Sequence, residues 1–220
     1  MIENSFDLLK RLLELGYDRA NRDDWWWPNS GTFEVVVGAI LTQNSKWERV
    51  EISLENLRKR SLLSLESLAL IDLKELEELI RPSGFFRAKS KYIKGISQAI
   101  LDDFISFDNF KEEVDREWLL AQKGIGFESA DAILNYGCKK EAFVVDSYSQ
   151  RLLNALGYEF DRYEDIQEWF ISGIWDRYNL LFPSFSRAKV YARAHGMIVE
   201  YCKENKKGSK IDISKIKDEE

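Results

Sequence analysis

Cysteine is scarce in this chain: two in 220 residues, Cys138 and Cys202. Two thiols so placed make no metal-ligand spacing and no disulfide framework. Long apolar runs are also missing, so nothing approaches the ~20 residues of a membrane span. The N-terminus, MIENSFDLLKRLLEL, is amphipathic and charged, unlike a secretory signal. Excess positive charge is absent too. The net charge is −6 and the isoelectric point about 5.1, which argues mildly against a non-specific nucleic-acid coat. These absences lead to the expectation of a reducing, cytoplasmic setting with no membrane partner. Histidine occurs once, at His195.

What is present is a globular composition, 45% hydrophobic and 32% charged, with enough length for one compact domain or two small ones. Charge is segregated along the chain. Residues 81–100 carry Arg81, Arg87, Lys89, Lys91 and Lys94 and no acid, whereas residues 101–117 are acidic. Such segregation fits two solvent faces of opposite sign, or one basic face held for an anionic polymer.

The chain is organised around residues 118–151, WLLAQKGIGFESADAILNYGCKKEAFVVDSYSQR. A short apolar helix carrying Trp118, Leu119 and Leu120 runs into Gly124-Ile125-Gly126. A second helix follows, with Ala130, Ile133 and Leu134 on one face. Two glycines around one aliphatic residue permit positive φ. They also leave backbone N–H groups uncovered at a helix start, which is an anion site. This is the form of a helix-hairpin-helix, a sequence-independent clamp on a DNA phosphate. Asp146 follows Val144-Val145 and heads the next helical segment, Tyr148 to Leu156, where a capping role is worth about 1 kcal/mol. Capping and chemistry are compatible there, because a carboxylate at a helix N-terminus stays ionised.

Hairpin, spacer and the V-V-D-S-x-x-x-R ending together resemble the helix-hairpin-helix DNA glycosylases of the endonuclease III type. The resemblance spans roughly residues 32–200. It implies that Asp146 is the catalytic carboxylate and that Gly124, Ile125, Gly126, Glu128 and Ser129 face DNA. Bifunctional members carry a lysine in the hairpin that attacks the sugar. Glu128 stands at that position here, and a carboxylate cannot form an imine. The resemblance therefore implies a monofunctional enzyme that uses water.

Taken in order, Phe6, Leu9, Leu12 and Leu13 recur at helical spacing over residues 3–16, ending at Gly16. Trp25-Trp26-Trp27-Pro28 then lies in an irregular stretch. Three consecutive tryptophans cannot share one helix face. They either plug a joint between two lobes or form an aromatic wall for a flat ligand, and indole faces favour a cation by roughly 0.5–2 kcal/mol per contact. Residues 32–41 read as a buried helix capped by Thr32. It ends in Thr42-Gln43, where the resemblance places a glutamine that enters the hole left by a flipped base. Trp47, close to this junction, is another candidate for the base pocket and opens a helix over about 45–60. A leucine-rich, acidic stretch, 63–80, reads as one short and one longer helix. Pro82 and Gly84 break the chain before Phe85 and Phe86, candidates for an apolar wedge in the minor groove or for core packing. Lys89, with Lys91 and Lys94, would follow on a helix near phosphates. Arg151 lies one turn beyond Asp146 and would face DNA or that carboxylate. Residues 162–182 read as one helical stretch and 184–204 as the last helix.

That last helix holds His195-Gly196, which many relatives follow with four iron-sulfur cysteines. Here those positions fall on Glu200, Lys207, Lys210 and Ile216. No cluster and no other resident cofactor is expected. The resemblance leaves room for a monovalent cation bound at the hairpin when DNA is present. Two accounts of the tail remain open, bracing by a buried and chemically modified lysine (from Lys203, Lys206, Lys207 and Lys210) or no bracing at all.

The sequence thus predicts an all-α fold in two lobes. Residues 31–138 would form a six-helix bundle ending in the hairpin; 1–30 and 139–220 would form a smaller helical lobe carrying Asp146, with the base pocket in the cleft between. One carboxylate, no placed lysine and many aromatics fit removal of an alkylated purine from damaged double-stranded DNA by a monomer. The pattern is most like the cluster-lacking bacterial 3-methyladenine DNA glycosylases. The rival expectations are a glycosylase for mismatched or oxidised bases, with or without lyase activity, and a non-catalytic helix-hairpin-helix binding module.

Overall fold

The structure is a computed structural model that describes residues 2–19, 23–208 and 210–217. The chain divides into two compact units, Met1–Pro28 with Lys140–Glu220, and Asn29–Lys139. The first unit opens with α1 (Ser5–Glu14), capped by the Asn4 side chain, which accepts the Asp7 N–H. Leu8, Leu9 and Leu12 are fully buried, as their spacing requires.

The second unit holds α2 (Glu34–Leu41), α3 (Trp47–Lys59), α4 (Leu65–Leu70), α5 (Leu73–Leu79), α6 (Phe86–Phe104), α7 (Phe107–Glu113), α8 (Arg116–Ala121) and α9 (Phe127–Ala132). One π turn, Ile133–Gly137, prolongs α9. This unit has eight α-helices where the sequence reading has six. The 63–80 stretch makes two short helices because Ser64 and Asp72 each cap a new start by accepting backbone N–H groups. In α2 every residue from Val35 to Leu41 is buried, so it is a core helix without a polar face. Thr32 does not cap it. The Thr32 hydroxyl instead donates to the Asn29 carbonyl, and the helix starts at Phe33 with no side-chain cap.

The first unit resumes with α10 (Ser147–Leu156), α11 (Tyr163–Ile174), α12 (Tyr178–Leu181) and α13 (Arg187–Glu204). The single helix expected over 162–182 is interrupted at Trp175–Arg177, where Arg177 has φ −122° and ψ 3°. A core of Leu8, Leu12, Leu152, Phe170, Met197 and Ile198 joins α1, α10, α11 and α13. A two-stranded ribbon, β1 (Lys206–Lys207) and β2 (Lys210–Ile211), follows α13.

This ribbon corrects the lysine-bracing expectation. Lys203, Lys206, Lys207 and Lys210 are exposed, although Lys207 pairs with Asp212 at 2.7 Å. Ile211 and Ile216 are buried in the unit's core. The Tyr201 hydroxyl donates to the Asp212 carbonyl at 2.6 Å, and Arg11 Nε donates to the Lys215 carbonyl at 3.2 Å. Apolar anchors and backbone hydrogen bonds hold the tail, because burying two isoleucines is cheap and burying an ammonium is not. Among the described residues no helix is long and apolar enough to cross a membrane.

Candidate active site

Asp146 enters α10 in extended conformation, directly after the buried Val144 and Val145. Its Oδ1 accepts the N–H groups of Tyr148 (2.9 Å) and Ser149 (2.8 Å) and the Ser149 hydroxyl (3.1 Å). Its Oδ2 stands 3.5 Å from Nε2 of His195, and 14% of the Asp146 side chain is exposed. Burial alone would raise this carboxyl's pKa. The neighbouring His195 imidazole, with the Ser149 donors, outweighs burial and holds the carboxyl below the usual carboxylate range. The result is an ionised carboxylate fixed by one oxygen at the positive end of α10.

The sequence reading missed the role of α13 in this arrangement. His195 is buried, and its ring meets Trp26 edge-on with centroids 5.3 Å apart. Gly196 lies so close under Trp26 that a Cβ there would overlap the indole. Trp26 has φ 69°, and its indole N–H donates to Glu200 Oε1 at 3.3 Å. Arg193 pairs with Asp18 and donates to the carbonyls of Asp23 (3.4 Å) and Asp24 (3.5 Å). Lys189 pairs with Asp24. One face of α13 thus grips the tryptophan loop through Lys189, Arg193, Gly196 and Glu200, and reaches Asp146 through His195. The H-G dipeptide was visible in the sequence, but its contacts reach Asp146 and Trp26, both far away along the chain, and leave no local pattern. Of the three tryptophans, Trp27 is buried, whereas Trp25, Trp26 and Pro28 are half-buried.

The hairpin belongs to the other unit. Gly124 has φ 86°, and a Cβ there would collide with the Tyr92 ring, so glycine is required on two counts. Gly126 needs no such freedom; its backbone is extended, and a Cβ would meet open space. Arg116 makes a bidentate pair with the buried Asp131 (2.8 and 3.0 Å), locking α8 to α9. Ile125 is buried and Glu128 exposed. Ser129, expected to face DNA, is turned inward; its hydroxyl accepts the Gln43 amide at 3.0 Å. Gln43 also donates to the Gly124 carbonyl at 2.8 Å, so its amide nitrogen ties the α2 end to the hairpin rather than projecting freely.

Lys89 departs from the phosphate role. It is buried, and its Nζ donates to the carbonyls of Leu41 (2.7 Å) and Ser83 (2.9 Å). Both carbonyls end turns with no other N–H to take, so the ammonium serves the backbone instead of DNA. Burial lowers its pKa to about 8. Lys94 is used likewise, donating to the Ile71 carbonyl at 2.6 Å, whereas Lys91 is exposed. Phe85 is 70% exposed, with φ 47°; Phe86 is half-buried with Arg81 stacked over it at 4.7 Å. Trp47 is half-buried at the start of α3, and Arg151 is exposed on α10.

An iron-sulfur cluster does not fit this chain. Of its four positions, Glu200 and Ile216 are buried, Lys207 and Lys210 exposed, and none is a thiol. Among the described residues no group of three or more His, Cys, Asp or Glu is placed to hold a metal.

A glycine-turn hairpin and a carboxylate capping the following long helix define the helix-hairpin-helix class of DNA glycosylases. The family described as "HhH-GPD superfamily base excision DNA repair protein" matches residues 37–170. The chain belongs to that superfamily, as a DNA glycosylase of base excision repair. The solved H. pylori 3-methyladenine DNA glycosylase MagIII, bound to 1,N6-ethenoadenine, is 46% identical with a TM-score of 0.89; the match covers 93% of this chain and 99% of that one. MJ1434 of Methanocaldococcus jannaschii, provisionally named a DNA repair glycosylase, is 35% identical over 92% of this chain and 90% of its own length. A non-covalent endonuclease III–DNA complex shares the fold at 18% identity and a TM-score of 0.66, covering 90% of this chain and 85% of that one.

Proposed function

We propose that this protein is a monofunctional DNA glycosylase that hydrolyses the N-glycosidic bond of alkylated purines, 3-methyladenine foremost, flipped from damaged double-stranded DNA. The observation that carries this reading is the ionised Asp146 at the head of α10, next to His195 and Trp26. As the bond between C1′ and the base breaks, the base keeps the electron pair and the sugar takes on positive charge. A fixed carboxylate stabilises that charge without reorganising. Water then adds at C1′, and its proton passes to Asp146 or to solvent. A base that already carries positive charge leaves neutral, so no general acid is needed. Glu128 at the hairpin supports hydrolysis over imine formation, since it offers no amine.

The tryptophan loop supports a flat, cationic base, which indole faces attract. The likeness to a glycosylase named for 3-methyladenine points the same way. In this reading Phe85 is the wedge, Arg151 and the hairpin meet phosphates, and the protein works as a cytoplasmic monomer.

The test is release of free bases from methylated duplex DNA, resolved by chromatography, with Asp146→Asn alongside. Wild type should release 3-methyladenine, and the variant should bind DNA as wild type does while releasing at least ~100-fold less. A duplex carrying 1,N6-ethenoadenine is the second substrate. Borohydride should trap no covalent adduct. Full activity in Asp146→Asn, or a trapped adduct, would overturn the mechanism.

A further inference from the structure

Glu200 stands where the family resemblance puts a cluster cysteine, and the mechanism above does not use it. Only 7% of its side chain is exposed. Its Oε1 accepts the Trp26 indole N–H at 3.3 Å, and its Oε2 lies 3.8 Å from the Arg19 guanidinium. Arg19 is itself shared with Glu204. The ring that Glu200 holds has little freedom. Gly196 lies against it, His195 meets its edge, and Arg193 ties down the backbone just before it. Glu200 therefore does more than fasten a loose side chain.

A carboxylate that accepts an indole N–H polarises the ring, since hydrogen-bonded groups strengthen one another's charge displacement. Electron density moves onto the π face, and that is the property a cation senses. The carboxylate's own charge acts in the same direction through space, in surroundings drier than bulk water. Both effects favour a positively charged base, and neither helps a neutral base of the same shape.

We propose that Glu200 is a positioning residue that sets specificity, enriching the Trp26 ring so that the pocket prefers a cationic base over its neutral isostere. The inference rests on the reading above, in which Trp26 belongs to the base pocket. It adds a charge-selection device to that pocket, supplied by the residue that stands in place of a cluster ligand.

The experiment compares two readouts in the intact protein. One is kcat/KM for 3-methyladenine release. The other is Kd for a duplex carrying 3-deaza-3-methyladenine, its neutral isostere. Glu200→Gln keeps an acceptor for the indole N–H and removes the charge. It should lower kcat/KM at least about five-fold, which is about 1 kcal/mol, and leave Kd for the neutral isostere within about two-fold. Trp26→Phe removes the N–H while Glu200 stays intact, so it reaches the same bond should the glutamine variant fold poorly. It should also weaken the cationic readout more than the neutral one, and in its background Glu200→Gln should cost less. Equal losses in both readouts, or none in either, would overturn the proposal and leave the glycosylase reading standing. If wild type releases no 3-methyladenine, the alkylation reading falls and takes this one with it.

Discussion

A single residue can hold two roles at once, as the sequence reading of Asp146 allowed. Asp146 caps α10 with one oxygen and presents the other toward His195, so the cap fixes the carboxylate that the proposed chemistry needs. Lys89 shows the opposite outcome. Read from sequence it is a phosphate ligand; in the fold its ammonium takes the carbonyls of Leu41 and Ser83. Burial lowers its pKa from 10.5 to about 8, so the folded protein sheds that proton before the unfolded chain does. Between those values the unfolded state binds more protons, and stability rises with pH. Urea unfolding at pH 7.5 and 9.5 should therefore show wild type gaining about 1–2 kcal/mol relative to Lys89→Met, in which this titration is gone. A wild type that gains no more than the variant would show that the ammonium is not strained by burial. Nothing in the local sequence around Lys89 marks it as buried, because its partners lie 48 and 6 residues away.

At the scale of elements, periodicity located α1, α3, α10 and α13 well, because each is amphipathic or capped by a residue of the right type. It missed the break between α11 and α12, because Gly173, next to the last residue of α11, also serves the close approach of Ser5 and reads as a packing glycine rather than a stop. It also missed how the tail is anchored, because the two anchoring isoleucines, Ile211 and Ile216, stand in a lysine-rich stretch with no apolar period. Ile216 is buried in the core of the first unit, so Ile216→Asp should cost about 2–4 kcal/mol and lower the melting temperature by several degrees. Lys210→Ala, at an exposed position, should stay within ~0.5 kcal/mol. Equal effects from both, read by calorimetry, would show that the isoleucine does not anchor the tail.

For the whole molecule, a net charge of −6 must be reconciled with a polyanionic substrate. The basic run over 81–100 is smaller in effect than it reads, because Lys89 and Lys94 are taken up by backbone carbonyls. Fewer cations of that run then remain to displace counterions, so the plot of log K against log salt for undamaged duplex should be shallow, with slope about −2 to −5. Fluorescence anisotropy between 50 and 200 mM salt measures it. A slope steeper than about −8 would show that cations well beyond the 81–100 run meet phosphates.

The sequence by itself determined the fold family and singled out Asp146 as the candidate catalytic carboxylate. A glycine turn, a capping aspartate and amphipathic periods are local devices, written within a few residues of where they act. It determined as well that no hairpin lysine and no cluster cysteines are present, since those are matters of identity. Only the tertiary structure decided that Lys89 and Ser129 face inward, that Gln43 is tied to the hairpin, and that α13 gathers His195, Gly196 and Glu200 around Trp26 and Asp146. The physical reason is range. Burial and hydrogen-bond partnership depend on groups far apart in sequence, and a side chain's chemistry does not say which of the available partners packing will bring to it.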